Sequence, residues 1–88
     1  MLYMVIEHFR DAKAVYRRAR EAGRFLPAGL RYISSWVEPT YTRCWQLMET
    51  DDPSLFDAWT SHWNDLTDFE IVPVLTSQEA SETIRAQL

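Results

Sequence analysis

The sequence predicts an α+β fold, and three features of the chain carry that prediction. Strand-like and helix-like segments follow one another as strand, helix, strand, strand, helix, strand, with a short helix at the end. The two middle strands are separated only by Glu38-Pro39-Thr40-Tyr41, whose residue types suit a hairpin turn. The first strand is apolar on both faces and needs cover on both. This order is that of a ferredoxin-like βαββαβ domain with an antiparallel four-stranded sheet.

The first half of the chain supplies a strand, a helix and a hairpin. The opening strand covers Leu2–Phe9. A helix is predicted over about 12–22, because Asp11 can cap its start and Gly23 is placed to end it. Strands over 30–37 and 42–50 then form the hairpin.

The second half begins at the sharpest boundary in the chain. Asp52 resembles an N-cap, and Pro53 suits the first helical position, where a missing N–H has no cost. The helix that follows carries one broad apolar stripe, made of Leu55, Phe56, Trp59, Trp63 and Leu66.

A fourth strand is predicted over 69–75, and it contains Pro73. Because proline cannot donate to a strand ladder, this strand is expected at a sheet edge. Thr76 and Glu79 then predict a capping box for a last helix of about 77–87. The buried side expected for that helix consists only of Ala80, Ile84 and Leu88.

Size and composition bound the class of protein. The 88 residues form one domain, 1–88, with a core that is adequate for its size. The net charge of −4 argues against nucleic acid as the main partner, since phosphate binding needs an excess of Lys and Arg. A single cysteine, Cys44, excludes an internal disulfide and a multi-thiolate metal site. The apolar run at 2–6 is too short for a signal peptide or a membrane span, so we expect a cytoplasmic protein.

So short a chain can build one helical layer against its sheet, but hardly two. Both main helices are expected on one face of the sheet. The other face, called here the open face, is then left bare although the first strand is apolar there too. We therefore expect a homodimer in which the open faces of two copies cover each other.

Five segments also resemble a small bacterial family of unknown function: MVIEHF at the start, GRFLPAGLRY, the SW of the second strand, QLMETDDP and DFEIVPV. That family is similar in turn to the dimeric α+β barrel superfamily, so the resemblance implies two ferredoxin-like subunits with their sheets facing each other. The superfamily includes cofactor-independent monooxygenases, haem-degrading enzymes, muconolactone isomerases and effector domains of regulators. Kinship alone therefore does not choose a reaction.

Side-chain alternation along the strands predicts which residues occupy each face. The helix-covered face is predicted to hold Leu2, Met4, Ile6, Ile33, Val37, Trp45, Leu47, Phe69 and Ile71. The open face is predicted to hold Tyr3, Val5, Glu7, Tyr32, Ser34, Trp36, Cys44, Gln46, Met48, Glu70, Val72 and Val74. Large apolar groups with a few polar ones are typical of a small-molecule pocket. The residues expected to bind a ligand there are Trp36, Ser34, Gln46, Tyr32 and Arg43.

Glu7, Glu70 and Gln46 fall on neighbouring strands of the predicted sheet. Two carboxylates close together under apolar cover cannot both ionise cheaply, so one of them should have a raised pKa and suit a general acid or base. The alternative, which we favour, is that both acids pair with Arg43 or with an Arg of the partner copy. They would then hold the dimer together.

The sequence contains little that indicates a metal site or a cofactor. His8, at the end of the first strand, is predicted on the face opposite to that of Glu7. We favour a structural role for it, a hydrogen bond that closes the helix–sheet layer, over a role as a catalytic residue or haem ligand. A strand bulge would bring it into the pocket. Neither His8 nor His62 has a second ligand at metal-binding spacing, so we predict no metal site. No glycine-rich phosphate loop or hydrolase motif is present, and no cofactor is predicted.

Lys13, Arg17, Arg20 and Arg24 recur at helical spacing and form a basic stripe. Such a stripe is most often a solvated helix face. The alternatives are that it binds an anion or the acidic helix of another subunit.

Two hypotheses for function remain. The first is a small dimeric protein that holds a modest hydrophobic or aromatic molecule in the pocket on the open face. The second is a cofactor-independent monooxygenase or isomerase, in which Glu7, with Glu70 or His8, moves a proton while Gln46 and Ser34 orient a carbonyl. We favour the first because no set of residues in the sequence is diagnostic of a reaction.

Overall fold

The computed structural model of the protein describes all 88 residues. In chain order the elements are β1 (Leu2–Phe9), α1 (Ala12–Ala22), β2 (Arg31–Val37), β3 (Arg43–Glu49), α2 (Leu55–Thr60), β4 (Thr67–Val74) and α3 (Ser77–Arg85). The strands form one antiparallel sheet in the order β2-β3-β1-β4. The predicted ferredoxin-like βαββαβ order with its four-stranded antiparallel sheet is confirmed, and so is the short C-terminal helix.

The termini of α1 are fixed as the sequence predicts. The side chain of Asp11 accepts a hydrogen bond from the backbone N–H of Ala14, over 3.1 Å. At the other end Gly23 has a φ of 80° and donates its N–H to the carbonyl of Ala19. Only glycine adopts this φ without strain, and the helix therefore ends here.

The helix α2 is shorter than the apolar stripe suggests. Asp52 Oδ1 accepts hydrogen bonds from the backbone N–H and the hydroxyl of Ser54, so the turn that it caps precedes the helix. The helix begins at Leu55 and ends at Thr60, and residues 61–66 continue as turns. Trp63 is nevertheless buried, as Phe56 and Trp59 are, and its backbone N–H donates to the carbonyl of Thr60, so the chain keeps turning after the helix.

The position of β4 at the sheet edge confirms the prediction from Pro73. This proline lies opposite Tyr3 of β1, and no strand follows on its other side. An edge strand tolerates a residue without an N–H because only one of its sides must donate to a neighbour.

The hydrophobic core lies between the sheet and the helical layer. Its buried members are Val5, Leu30, Met48, Phe56, Trp59 and Trp63. The parity predicted for β1 and β3 is therefore wrong: Tyr3, Val5 and Glu7 face the helices, and so do the β3 residues Cys44, Gln46 and Met48. Both faces of β1 are apolar, so alternation did not distinguish them. On the helix-covered face, Tyr3, Val5 and Met48 pack against the core residues Phe56, Trp59 and Trp63 of the helical layer.

The parity of β4 is as predicted, and that of β2 is partly so. Phe69 lies opposite Glu7 on the helix-covered face, and Glu70 lies opposite Ile6 on the open face. In β2 the register shifts between Tyr32 and Ser34. This irregularity turns Tyr32 toward the helices, opposite its predicted side, while Ser34 stays on the open face.

The open face carries a broad apolar surface. In its centre, Met4 and Ile6 of β1 lie opposite Leu47 and Trp45 of β3. On the other side of β1, Leu2 and Met4 lie opposite Val74 and Val72 of β4. Trp36 of β2 lies opposite Trp45 and is 55% exposed. The apolar members of this face are Leu2, Met4, Ile6, Trp36, Trp45, Leu47, Val72 and Val74.

The helix α3 starts as predicted but packs differently. Thr76 and Glu79 form the predicted capping box, each accepting a hydrogen bond from the other's backbone N–H. No residue of α3 is buried, and Ile84 and Leu88 are exposed. The buried side predicted for this helix is thus absent within one copy of the chain. None of the helices has both the length and the apolar character that crossing a bilayer requires.

Candidate functional site

A cavity of about 500 Å³ lies between α1 and the helix-covered face of the sheet. The sheet contributes Glu7 and Phe9 from β1, Ser35 from β2 and Gln46 from β3 to its floor. The remaining walls are formed by Val15, Tyr16, Ala19, Arg20, Gly23, Arg24, Trp59 and Trp63. Small residues of α1 at this position leave the space open, since Ala19 has no side chain beyond Cβ to fill it.

One end of the cavity is built around the backbone of Arg24. The indole N–H of Trp59 donates to the carbonyl of Arg24 over 2.9 Å, and that of Trp63 donates to the same carbonyl over 3.1 Å. Both tryptophans are buried. Both indole N–H groups are thus hydrogen-bonded, as buried donors usually are. The two bonds also hold the segment between α1 and β2 against one end of the cavity.

The side chain of Arg24 is directed back over the sheet. Its guanidinium lies over the ring of Tyr32, 3.8 Å from the ring centroid. It also reaches Oε1 of Gln46 over 3.4 Å, which is a long hydrogen bond. The cation–π contact fixes the direction of the guanidinium while most of its N–H donors remain free.

Glu7 is the acidic group of the cavity, and it is only 8% exposed. Burial raises the pKa of Glu7, because a carboxylate loses its hydration there, while a hydrogen bond with Cys44 and the charge of Arg24 act in the opposite direction. Burial beside Glu7 also raises the pKa of Cys44 to about 12. At neutral pH the thiol is thus mostly protonated, and the thiolate that acts as a nucleophile is scarce.

Gln46 is the second buried polar group on the cavity floor, and it is 3% exposed. Its amide nitrogen donates to the sulfur of Met48 over 3.3 Å, and its oxygen receives only the long hydrogen bond from Arg24. Sulfur is a weak acceptor. The amide therefore keeps hydrogen-bonding capacity that a ligand in the cavity can use.

The predicted acid pair does not form. Glu7 lies on the helix-covered face, whereas Glu70 lies on the open face, because their strands place them on opposite sides of the sheet. Glu70 instead contacts His8, whose Nε2 is 3.0 Å from Glu70 Oε1. His8 is thus on the open face, and the hydrogen bond predicted to close the helix–sheet layer is absent.

Arg43 does not pair with Glu7 or Glu70. Its guanidinium bonds the carboxylate of Glu38 across the β2–β3 turn, with Nε 3.0 Å from Oε1. It also lies over the ring of Trp45, 5.0 Å from the centroid. The interaction expected to hold a second subunit is thus used within the hairpin.

The predicted site residues separate into two groups. Glu7 and Gln46 line the cavity, and Tyr32 supports Arg24 beside it. The other predicted residues lie on or around the open face, away from the cavity: His8, Ser34, Trp36, Arg43 and Glu70. The cavity is therefore on the side of the sheet opposite to the one predicted.

Sequence reasoning missed Tyr16, Arg20, Arg24, Trp59 and Trp63 as site residues. Two signals pointed towards them. The basic stripe contains both arginines, and the small residues of α1 indicate a helix that lies close to the sheet. Neither signal predicts a cavity between α1 and the sheet. No group of three or more His, Cys, Asp or Glu side chains is placed to hold a metal ion.

Fold and site together define a small ferredoxin-like α+β protein with a cavity between its first helix and its sheet. The chain belongs to the family described as Domain of unknown function (DUF3303), whose family model matches residues 1–88. This agrees with the resemblance to a small family of unknown function. Searches of curated proteins and of solved structures give no match.

Proposed function

We propose that this protein binds a small hydrophobic or aromatic molecule in the cavity between α1 and the sheet. The observation that carries the proposal is the pair of buried polar groups, Glu7 and Gln46, on the floor of a cavity of about 500 Å³. Pockets for small molecules have volumes of about 300–1,000 Å³ and combine apolar walls with a few polar groups. Buried polar groups without strong partners are destabilising unless a ligand satisfies them.

The walls favour a ligand with an aromatic or flat apolar body. Trp59 and Trp63 offer indole surfaces whose N–H groups are already used by the chain. Only their apolar surfaces are then available to a ligand, together with Phe9 and Val15. Aromatic rings attract other rings in stacked or edge-on contact.

Ligand binding is tested by titrating a neutral bicyclic aromatic probe, naphthalene-2-carboxamide, into the full chain and measuring heat. Wild type should bind it, and Ala19→Leu should weaken binding at least about tenfold because the longer side chain occupies the cavity. Ala22→Leu is the matched control, since Ala22 lies on the exposed end of α1 outside this cavity. Equal affinity of both variants and wild type would place the probe elsewhere and contradict the proposal.

The chain is also proposed to act as a homodimer through its open face. Contiguous exposed apolar patches of more than a few hundred Å² are rare on monomers and mark interaction surfaces. Trp36, Trp45, Leu47 and Val72 lie on this apolar face, where Trp36 is 55% and Val72 is 41% exposed. At its margins Arg43 pairs with Glu38 and Arg31 with Glu49 within the chain, and His8 contacts Glu70.

The second candidate function is a cofactor-independent enzyme that uses Glu7 as acid or base. The observation in its favour is the raised pKa of Glu7, a carboxyl that faces a cavity. Its carboxylate form would take a proton from the carbon beside a ligand carbonyl, leaving an enolate, and would then return the proton. Gln46 is placed on the same floor to donate a hydrogen bond to the enolate oxygen.

Proton exchange distinguishes the two candidates. In D₂O, an enzyme of this kind should speed deuterium incorporation next to the carbonyl of 2-tetralone, a bicyclic aromatic ketone, and Glu7→Gln should abolish the acceleration while the ketone still binds. A wild-type protein that binds the ketone without accelerating exchange supports a binding function alone.

A further inference from the structure

The positive charges of the protein are distributed unevenly. The chain has nine Lys and Arg residues. Four of them, Arg10, Arg18, Arg31 and Arg43, form ion pairs with carboxylates. Four of the other five make up the basic stripe, and they surround one side of α1: Lys13, Arg17, Arg20 and Arg24. In a protein of net charge −4, such a group of unpaired cations creates a local positive potential.

Two members of the basic stripe line the cavity itself. Arg20 and Arg24 both belong to its walls, and neither forms an ion pair within the chain. A second concavity, lined by Lys13, Tyr16, Arg17 and Arg20, shares Tyr16 and Arg20 with the cavity. The positive surface thus leads directly to the cavity, and clefts lined by one sign of charge concentrate ligands of the other sign.

Arg24 is held in place as an anion-binding residue would be. Its backbone carbonyl is fixed by the indoles of Trp59 and Trp63, and its guanidinium is stacked on Tyr32. A guanidinium whose direction is set in advance loses little conformational freedom when it binds a planar carboxylate. Its polar contact to the rest of the chain is the long bond to Gln46, so its donors remain available.

We propose that the ligand of this cavity is an aromatic carboxylate. Its carboxylate group binds Arg24 and Arg20 at the wall, its apolar body lies against Trp59 and Trp63, and Glu7 with Gln46 holds a carbonyl or hydroxyl at the floor. This inference rests on the proposed binding function, which it narrows to a class of ligand. The carboxylate is favoured because the guanidinium fork matches its two oxygens.

The test compares two probes that share one ring system, naphthalene-2-carboxylate with a charged group that accepts through two oxygens and naphthalene-2-carboxamide with a neutral group that accepts through one. Calorimetric titration of the full chain at pH 7.5 and low salt should show that the acid binds at least about tenfold more tightly than the amide, as charge-assisted hydrogen bonds predict. Arg24→Gln should weaken binding of the acid far more than binding of the amide, so that most of this preference is lost and only the share due to Arg20 remains. Circular dichroism of the variant shows that it is folded. Arg24→Lys should keep part of the preference, because the charge remains while the fork is lost.

Arg85→Gln is the matched control. It makes the same change of net charge at an arginine of α3, outside the cavity. It should leave the preference for the acid intact. A loss in Arg85→Gln as large as in Arg24→Gln would mean a general charge effect and would overturn the inference.

The two proposals fail in different ways. If neither probe binds, the binding function itself is overturned. If both probes bind with one affinity and Ala19→Leu weakens both, the cavity binds neutral molecules and only the carboxylate inference is overturned. A preference for the acid that Arg24→Gln largely removes and Arg85→Gln leaves intact supports both.

Discussion

Trp59 and Trp63 donate their indole N–H groups to one acceptor, the backbone carbonyl of Arg24, over 2.9 Å and 3.1 Å. The two donors lie four residues apart, the first in α2 and the second in the turns that follow it. Both therefore reach the same point of the segment that joins α1 to β2. Since the acceptor is a backbone atom, the side chain at position 24 can be changed without removing the contact.

The shared acceptor predicts coupling between the two tryptophans. Trp59→Phe and Trp63→Phe should each lower the free energy of unfolding by about 1–3 kcal/mol, through lost packing and one lost hydrogen bond. The double variant should lose more than the sum, because only then is the partly buried carbonyl of Arg24 left without either donor. Urea denaturation of the four proteins measures the coupling. Strict additivity would show that the two contacts are independent.

A second prediction concerns Glu7 and pH. Because the pKa of Glu7 is raised above its ordinary value of 4.5, the folded state binds this proton more tightly than the unfolded state. Stability from this group is therefore present below pH 4.5 and is lost as pH rises through the folded pKa. Glu7→Gln should thus be more stable than wild type at pH 7.5, and the difference should shrink near pH 4.5.

Urea midpoints of Glu7→Gln and wild type at the two pH values test this. Glu82→Gln provides the control, since Glu82 is an exposed carboxyl on α3. It should show no such gain at pH 7.5. A Glu7→Gln variant less stable than wild type at pH 7.5 would mean that the carboxylate has a stabilising partner in the folded protein.

The third prediction concerns the ion pair between Arg18 of α1 and Asp65 in the turns after α2. Arg18 donates to both carboxylate oxygens of Asp65, over 2.8 Å and 2.7 Å, and to the carbonyl of His62. The hydrogen bond with Arg18 lowers the pKa of Asp65 below its ordinary 3.8. The stabilisation is thus present above pH 3.8 and is lost as pH falls through the folded pKa.

Arg18→Met should lower the melting temperature at pH 7, and the deficit should shrink in acid to the part due to the contact with the carbonyl of His62. Arg17→Met is the control, because Arg17 is exposed and forms no ion pair. Thermal unfolding followed by circular dichroism measures both variants. Equal melting temperatures for the two would show that the ion pair with Asp65 adds nothing to stability.

The open face provides the fourth prediction. Trp36→Glu should dissociate the proposed dimer, because a charge would be buried against the apolar face of the second copy. The secondary structure should remain, since Trp36 is 55% exposed within one copy. Tyr41→Glu, also at an exposed aromatic residue but in the β2–β3 turn, should leave the mass unchanged. Sedimentation equilibrium gives the mass of each, and a monomeric wild type would contradict the dimer.

Much of the fold was predictable because its signals are local. The cap at Asp11 and the capping box of Thr76 and Glu79 each act through a contact within a few residues, and Pro73 acts through its own missing N–H. Each of these features was read correctly from the sequence. Local chemistry of this kind does not depend on which elements pack together.

The face of the sheet that carries the site was not predictable in the same way. Val5 and Ile6 are both apolar, so the alternation in β1 gives no preference for either side. The register shift after Tyr32 also has no signal in the sequence. The choice depends on how Phe56, Trp59 and Trp63 pack together with the strands, which is a property of the whole core and not of one segment.

The single cysteine gives this protein an internal reporter of opening. Cys44 is 5% exposed, and burial raises its pKa to about 12, so almost no reactive thiolate exists in the closed domain at pH 8. A disulfide reagent in solution can then modify the chain only during moments when α1 lifts from the sheet or the domain unfolds. The labelling rate would therefore report how often the domain opens, without any engineered probe. A ligand bound in the neighbouring cavity would make opening rarer and labelling slower.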